Sequence, residues 1–293
     1  MSGPAVSGLV VVDKAAGMTS HDVVARIRRL AGTRKVGHAG TLDPMATGVL
    51  LVGVNRATRL LGHLMLTEKA YDATVRLGAG STTDDADGEL GDQRSTELLT
   101  EDDVRAAAGR FVGTIEQVPS SVSAVKIDGE RAYKRVRAGE DVQIPARTVT
   151  VHALVVTRVR REEPWLDVDV SVRCSSGTYV RALARDLGEA LGVGGHLTAL
   201  RRTAVGPFTV GDAHTLEELA DDLAVLDLTD VARRSFPTFA LDEAQTRDVR
   251  FGRRLSVDLG ASGPVAVLAD TGEFLALYEQ RDEVAAAVAV FAG

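Results

Sequence analysis

The carboxylate with the most distinctive setting in this chain lies in a glycine-rich loop. Asp43 is part of residues 37–48, and Pro44 follows it directly. Proline restricts the conformation of the residue before it, and glycine lets another chain or a base approach the backbone closely. A carboxylate in such a loop could act as a nucleophile or as a base. The alternative is that Asp43 caps a helix starting near Thr47, because aspartate is frequent at helix starts.

A second set of chemically capable residues follows the only cysteine, Cys174. Gly177 turns the chain, and Tyr179 and Arg181 stand where a helix is predicted to begin. An arginine there opposes the helix dipole, so its position favours a role facing a carboxylate or phosphate, although a surface arginine is the alternative. Tyr71 falls in the apolar register of a predicted strand, which fits either a core aromatic or an active-site ring.

Several common sites are excluded. Gly78 and Gly80 lack the third glycine of a dinucleotide fingerprint, since Thr83 stands there, and no P-loop motif is present. An acidic run at residues 84–88 fails as a calcium loop because both of its end ligands are wrong. One cysteine permits neither a disulfide within the chain nor a multi-cysteine zinc site, and the six histidines show no ligand spacing. We therefore expect no metal site.

Charge is distributed unevenly along the 293 residues. The net charge of −7 and the sequence pI near 5.5 argue at first against a nucleic-acid partner. By segment, however, the net charge is +5 for residues 1–70, −6 for 71–110, +3 for 111–210 and −9 for 211–293. Basic clusters at residues 26–29, 34–35 and 131–137 are typical either of an anionic partner or of solvated faces. No leader or membrane span is evident, which predicts a cytoplasmic protein.

The elements that must position these residues follow from periodicity. Alternation predicts strands, most clearly over residues 166–174, and helical spacing with capping residues predicts helices. The predicted strands cover residues 9–12, 71–77, 115–127, 147–160 and 166–174, and the helices cover 19–32, 47–61, 100–110, 179–191 and 215–226; residues 36–48 and 81–91 are predicted loops. Helices and strands mix without a regular βαβ rhythm, so the fold class is α+β.

The sequence changes in character after Arg234. Residues 236–239, FPTF, resemble a linker, and short apolar runs separated by glycine turns follow at residues 254–259, 265–269 and 274–278. This pattern predicts a small β-rich second domain. We therefore divide the chain into a domain of residues 1–234 and a domain of residues 235–293.

Seven motifs together resemble the tRNA pseudouridine synthase B (TruB) family. The segment GTLDPMATGVL at residues 40–50 is similar to the family's catalytic motif. Similar segments occur in the family's order and extend the resemblance over residues 8–206: GLVVVDKAAGMTS at 8–20, KAY at 69–71, TDDADG at 83–88, QVPSSVSAVK at 117–126, GTYVR at 177–181 and LRRTAV at 200–205.

This resemblance implies a fold and an activity. The implied fold is that of the pseudouridine synthases, with a mixed, mostly antiparallel central sheet flanked by helices and a small C-terminal domain similar in outline to PUA domains. The implied reaction converts the T-loop uridine of tRNA, position 55, to pseudouridine without a cofactor. The alternatives are a non-catalytic tRNA-binding folding helper and, more weakly, an RNA-guided relative in a ribonucleoprotein. The implied partner is the T-stem-loop of tRNA, and a monomer is the default.

The resemblance also implies roles for individual residues. Asp43 would drive glycosidic cleavage, by attacking the sugar or base or by taking a ribose proton, and Arg181 would keep it ionised. Tyr71 would stack on the target base and assist removal of the C5 proton. The remaining matched positions are expected to bind the substrate: Tyr179 and Leu200 in the base pocket, His38 against the RNA as the base flips out, Lys14 in support of the site, and Asp85 as a partner of a basic site residue.

Overall fold

Fifteen strands and seven helices are present in the described part of the chain. The computed structural model describes residues 6–120, 126–127, 130–131 and 144–292. The strands are β1 Gly8–Lys14, β2 Val36–Ala39, β3 Thr47–Val54, β4 Lys69–Leu77, β5 Gly113–Gln117, β6 Lys126–Ile127, β7 Glu130–Arg131, β8 Arg147–Glu162, β9 Trp165–Cys174, β10 Gly195–Val205, β11 Phe208–Thr209, β12 Thr238–Ala240, β13 Val265–Leu268, β14 Phe274–Arg281 and β15 Val284–Val290. The helices are α1 Ser20–Leu30, α2 Leu61–Met65, α3 Glu101–Gly109, α4 Val180–Ala190, α5 Leu216–Asp221, α6 Leu228–Ser235 and α7 Glu243–Arg250.

The main sheet contains nine strands. Its order is β1-β3-β10-β4-β9-β8-β5, with β2 paired to β3 and β11 paired to β10. The pair β3–β10 is parallel, and the other pairs in this sheet are antiparallel. The sequence-based expectation of an α+β fold with a mixed, mostly antiparallel sheet is confirmed. The central strands β10, β4 and β9 carry several of the predicted site residues or lead directly to them.

The elements with clear periodicity form as predicted. Inward residues alternate along β4, so that Tyr71, Ala73, Val75 and Leu77 are buried. Helix α1 begins with a capping box in which Thr19 and Asp22 satisfy each other's backbone amides. Helices α3 and α4 also lie within the ranges expected from capping and apolar spacing.

The predicted helix over residues 47–61 is wrong. Residues Thr47–Val54 form β3, in which all but the first residue are buried, and a 3₁₀ turn at Asn55–Arg59 and the short helix α2 follow. A strand buried on both faces has a continuous apolar sequence, and periodicity does not distinguish it from a buried helix. The predicted loop over residues 36–48 is also partly wrong, because Val36–Ala39 forms β2 against β3. Asp43 therefore caps no helix.

The C-terminal segment forms a separate four-stranded sheet of order β12-β13-β14-β15. Strand β12 replaces the end of the predicted linker, and β15, an alanine-rich strand, was not predicted. Residues 254–259 form no strand; Leu255 makes one isolated bridge to Ala285. Helices α6 and α7 were also not predicted, and the predicted helix at 215–226 shortens to α5.

One hydrophobic cluster joins the two sheets. It combines Leu9 and Leu51 of the main sheet with Ala266, Phe274 and Phe291 of the C-terminal segment. Buried apolar surface of this kind is the main stabilising contribution to a fold, so the C-terminal sheet is packed against the main sheet rather than connected to it only by a linker. We propose that the boundary between the two domains lies between residues 234 and 235.

Two sequence features fall outside the described residues or only partly inside them. The basic cluster of residues 131–137 lies outside them apart from the backbone of Arg131, and so do residues 121–125 of the motif segment 117–126. Within the described residues, none of the helices combines the length and apolar character that a membrane span requires.

Candidate active site

Several of the predicted site residues line one cavity of about 290 Å³ near the middle of the main sheet. Its walls come from the loop between β2 and β3, from strands β4 and β10, from the end of α2 and from the turn that leads into α4. Asp43, Tyr71, Tyr179, Arg181 and Leu200 all line it. The structure thus brings together residues that are up to 157 positions apart in the sequence.

The loop that carries Asp43 is held from several sides. Ser20 Oγ donates to the carbonyl of Leu42 and accepts from the Leu42 amide, at 3.2 and 2.9 Å. The Gly17 amide and Lys14 Nζ both donate to the carbonyl of Pro44, at 2.8 and 3.3 Å. The loop begins at Gly40, whose φ of +87° suits glycine. These contacts fix the backbone on both sides of Asp43 and so restrict its carboxylate.

Arg181 lies between two carboxylates. Its Nε is 3.1 Å from Asp43 Oδ2, and its Nη1 is 3.1 Å from Asp85 Oδ2. Nη1 also donates to the Thr83 carbonyl at 2.9 Å. Arg181 is 6% exposed, so these charge-assisted contacts lie in a largely dry environment. The carboxylates account for an arginine at a helix start, where the dipole alone disfavours it.

The carboxyl of Asp43 has a pKa above its ordinary value. Burial in the cavity wall raises this pKa most strongly, and the Arg181 guanidinium opposes the increase. Asp85 raises the Asp43 pKa further, because a like charge nearby disfavours ionisation. The ionised form that a nucleophile or base requires therefore depends on Arg181.

The aromatic and apolar walls are also firmly placed. Tyr71 is 7% exposed, is the cross-strand partner of Arg202 in the β4–β10 pairing, and has a pKa raised by burial. The Tyr179 amide donates to Gln117 Oε1 at 2.8 Å, and Gln117 Nε2 donates back to the Tyr179 carbonyl at 3.1 Å. Leu200 completes the apolar surface from β10. The cavity can hold a flat aromatic ring beside a carboxylate.

Three predicted residues lie outside the cavity lining. Lys14 is fully buried and supports the Asp43 loop through Pro44, while Asp85 holds Arg181 from behind. His38 lies on β2 just before the loop, where its ring meets that of His21 edge to face at 5.5 Å. Lys14 and Asp85 thus contact the residues that hold the site in place, and His38 precedes the Asp43 loop. None of the three lines the cavity.

Two charged residues of the cavity lining received no role from sequence reasoning. Lys69 and Arg202 belong to the recognised segments, yet the motif resemblance gave them no function. Both were detectable, because Lys69 shares the inward register of Tyr71 on β4, and Arg202 shares that of Leu200 on β10. A charged residue at an inward-facing strand position is unusual and is evidence of a polar site.

Comparison with solved structures defines the class of protein. A chain from an H/ACA RNP bound to a substrate RNA containing 2′-deoxyuridine is similar with a TM-score of 0.74 and 25% identity, covering 98% of this chain and 85% of that one. A chain of a Cbf5-Nop10-Gar1 complex is similar with a TM-score of 0.73 and 28% identity, covering 98% and 84%. The fold is that of the pseudouridine synthases.

Sequence comparison then gives the family. The model of the TruB family pseudouridylate synthase N-terminal domain matches residues 28–180, and two TruB C-terminal domain models match residues 181–243 and 236–292. Proteins named tRNA pseudouridine synthase B are 56% identical in Arthrobacter sp. (strain FB24) and 58% identical in Thermobifida fusca (strain YX). The matches cover 98% of this chain and 97% and 99% of theirs. The chain belongs to the TruB family of pseudouridine synthases.

Proposed function

We propose that this protein isomerises the T-loop uridine of tRNA, position 55, to pseudouridine. The observation that carries the proposal is the Asp43–Arg181 pair in a cavity lined by Tyr71, Tyr179 and Leu200. The names of the similar full-length proteins support tRNA as the substrate. The resemblance of the Asp43 loop to the family's catalytic motif supports the T-loop as the target.

The reaction breaks the C1′–N1 bond of uridine, turns the uracil and rejoins it through C5. Asp43 supplies the carboxylate that initiates cleavage, and Arg181 keeps it ionised and oriented. Asp85 and the Thr83 carbonyl hold Arg181 in that position. Tyr71, Tyr179 and Leu200 surround the uracil, so the detached ring can turn without leaving the cavity.

A buried cavity requires the target base to leave its stack. A base inside a folded T-loop is inaccessible, and RNA-modifying enzymes extrude such a base into an aromatic and apolar pocket. His38 lies on β2, directly before the Asp43 loop, and is proposed to contact the RNA there. Lys14 supports the same loop from inside the protein.

The second candidate function is a non-catalytic helper that binds and folds tRNA. A helper needs a tRNA surface but no cavity holding a carboxylate, a guanidinium and an aromatic ring, so the site favours the enzyme. Membership in a ribonucleoprotein is disfavoured, because identity is 25% to the similar chain of an H/ACA RNP and 56% to a protein named tRNA pseudouridine synthase B. The proposal includes a monomer that acts in the cytoplasm, where its tRNA substrate is found.

An unmodified tRNA transcript with tritium at uracil C5 tests the function. The rearrangement replaces the C5–H bond with a C5–C1′ bond, so each turnover releases one tritium to water. We expect release equal to one uridine per tRNA and loss of release when that T-loop uridine is replaced by cytidine. Full retention of tritium with tight tRNA binding would favour the helper.

A further inference from the structure

We propose that Lys69, supported by Arg202, stabilises the negative charge that develops on the uracil when its glycosidic bond breaks. The inference rests on the proposed isomerase function and assigns a further catalytic residue to it. It is carried by two buried cations that line the same cavity and donate hydrogen bonds to backbone carbonyls.

Lys69 reaches the cavity from the first residue of β4. It is 7% exposed and lines the cavity. Its Nζ donates to the Met65 carbonyl at 2.8 Å and to the Thr67 carbonyl at 2.7 Å. An ammonium group has three N–H donors, so two are used at the end of α2 and one remains for the cavity.

Arg202 lies beside Lys69 and is 1% exposed. Its Nε donates to the Val49 carbonyl at 2.7 Å, and its Nη2 donates to the Gly40 carbonyl at 3.1 Å. It is also the cross-strand partner of Tyr71 in the β4–β10 pairing. The guanidinium therefore connects the start of the Asp43 loop with β3, and strand pairing places it beside the active-site tyrosine.

Gly40 lies between the two cations. A side-chain carbon at this position would lie 3.5 Å from Arg202 Nη1 and 3.8 Å from Lys69 Cε. Both cations therefore lie within van der Waals reach of the start of the Asp43 loop.

In the part of the chain that the structure describes, no carboxylate pairs with either cation. Within the described residues, neither Lys69 nor Arg202 forms a salt bridge, whereas Arg181 in the same cavity forms two. Burial and the Arg202 charge lower the pKa of Lys69 to about 8, and the Cys174 thiol also faces it from β9. At neutral pH Lys69 is still protonated. Buried like charges without a counter-ion are costly, so this wall is suited to a negative charge supplied by the substrate.

The reaction supplies such a charge. When the C1′–N1 bond breaks, its electron pair remains on the uracil and spreads from N1 onto the two carbonyl oxygens. A preorganised cation that donates to one of these oxygens stabilises the charge as it forms. The pair returns to C1′ from C5 when the new bond forms. The C5 proton then leaves to a base and N1 takes up a proton from water, so the product is an isomer of uridine. Lys69 keeps all its protons throughout.

The test compares Lys69→Met with the wild type on tRNA in single-turnover reactions. Removing one donor to a developing anion typically lowers the rate by about 100-fold. We expect that loss with tRNA affinity within a few-fold and an unchanged melting temperature. Lys69→Arg keeps the charge and should recover at least about tenfold of the loss. Lys69→Gln keeps a donor for the Met65 and Thr67 carbonyls. It therefore replaces Lys69→Met in the same measurement if Lys69→Met fails to fold. Arg247→Met, an exposed site on α7, is the control.

A second substrate separates an electrostatic role from a structural one. Fluorine at C5 makes uracil a better leaving group, so tRNA containing 5-fluorouridine needs less help from Lys69. Consumption of 5-fluorouridine, followed in nuclease digests, should differ between wild type and Lys69→Met by less than about tenfold. An equal deficit on both substrates, or no deficit on either, would overturn the inference while leaving the isomerase function in place. A wild type that converts no uridine would overturn both.

Discussion

The guanidinium Nε of Arg181 lies 3.1 Å from Oδ2 of Asp43. This contact joins the first turn of α4 to a loop 138 positions earlier in the chain. Since burial raises the pKa of Asp43 and Arg181 opposes that increase, the pair determines at which pH the carboxylate is ionised.

Replacing Arg181 with methionine should move the acid limb of the pH–rate profile to higher pH. Without the guanidinium, the pKa of Asp43 rises further above its ordinary value, so more of the carboxylate is protonated at a given pH. The single-turnover rate should fall on the order of 100-fold near pH 8 and by a larger factor near pH 6. Arg181→Lys keeps the charge, so the acid limb of its pH–rate profile should lie at nearly the same pH as that of the wild type. A limb at the same pH in Arg181→Met would show that Asp43 is not the titrating group.

Replacing Asp43 with asparagine should abolish turnover and leave tRNA affinity within a few-fold. Asparagine is nearly isosteric but is neither nucleophile nor base, whereas the surfaces that contact RNA are unchanged. Tritium release and a tRNA binding titration measure the two quantities separately. Asp102→Asn, an exposed carboxylate on α3, is the control and should keep full activity. A large loss of binding in Asp43→Asn would instead indicate that Asp43 holds the loop together.

The elements that sequence could predict are those with one buried face. Strand β9 alternates between apolar and polar residues, and α1 begins with a capping pair and has helical apolar spacing, so both follow from local rules. Strand β3 could not be predicted in the same way, because it is buried on both faces and has no alternation. Its partners, β1 and β10, come from distant parts of the chain.

The candidate site could likewise be predicted only in part. Asp43, Tyr71 and Arg181 stood out by residue type and motif, but their convergence depends on pairing between β4 and β10, which no local pattern encodes. The net charge of the whole chain did not indicate an RNA partner, and only the charges of its segments did. In the acidic loop, Asp84 pairs with Arg185, and Asp85 pairs with Arg181. The negative charge of that loop is therefore partly neutralised within the protein.

The buried Lys14 should make stability depend on pH above about 8. Burial lowers its folded-state pKa to about 8, while the unfolded chain keeps a value near 10.4. Between these values the unfolded chain binds more protons, so the stability of the wild type should rise relative to Lys14→Met as pH increases. The difference in the free energy of unfolding between wild type and Lys14→Met should grow by up to about 3 kcal/mol over this pH range. Urea unfolding at pH 7.5 and pH 10 measures it. Lys35→Met, at an exposed lysine, should show no such change, and an equal slope for Lys14→Met would contradict the prediction.

Gly48 should tolerate no side chain, because it lies where β3 runs beside the backbone of Arg202. Its φ is +96°, and a Cβ there would lie 2.2 Å from the Arg202 carbonyl oxygen. Gly48→Ala should therefore destabilise the protein by about 2 kcal/mol or more, measured by urea unfolding. It should also lower activity, because moving the Arg202 backbone disturbs the side chain that holds Gly40. Gly62→Ala is the matched control: it lies in α2 with nothing within 4 Å of the added carbon, and it should be neutral or stabilising by up to about 1 kcal/mol. Equal stability of the two variants would show that β3 and β10 can separate at little cost.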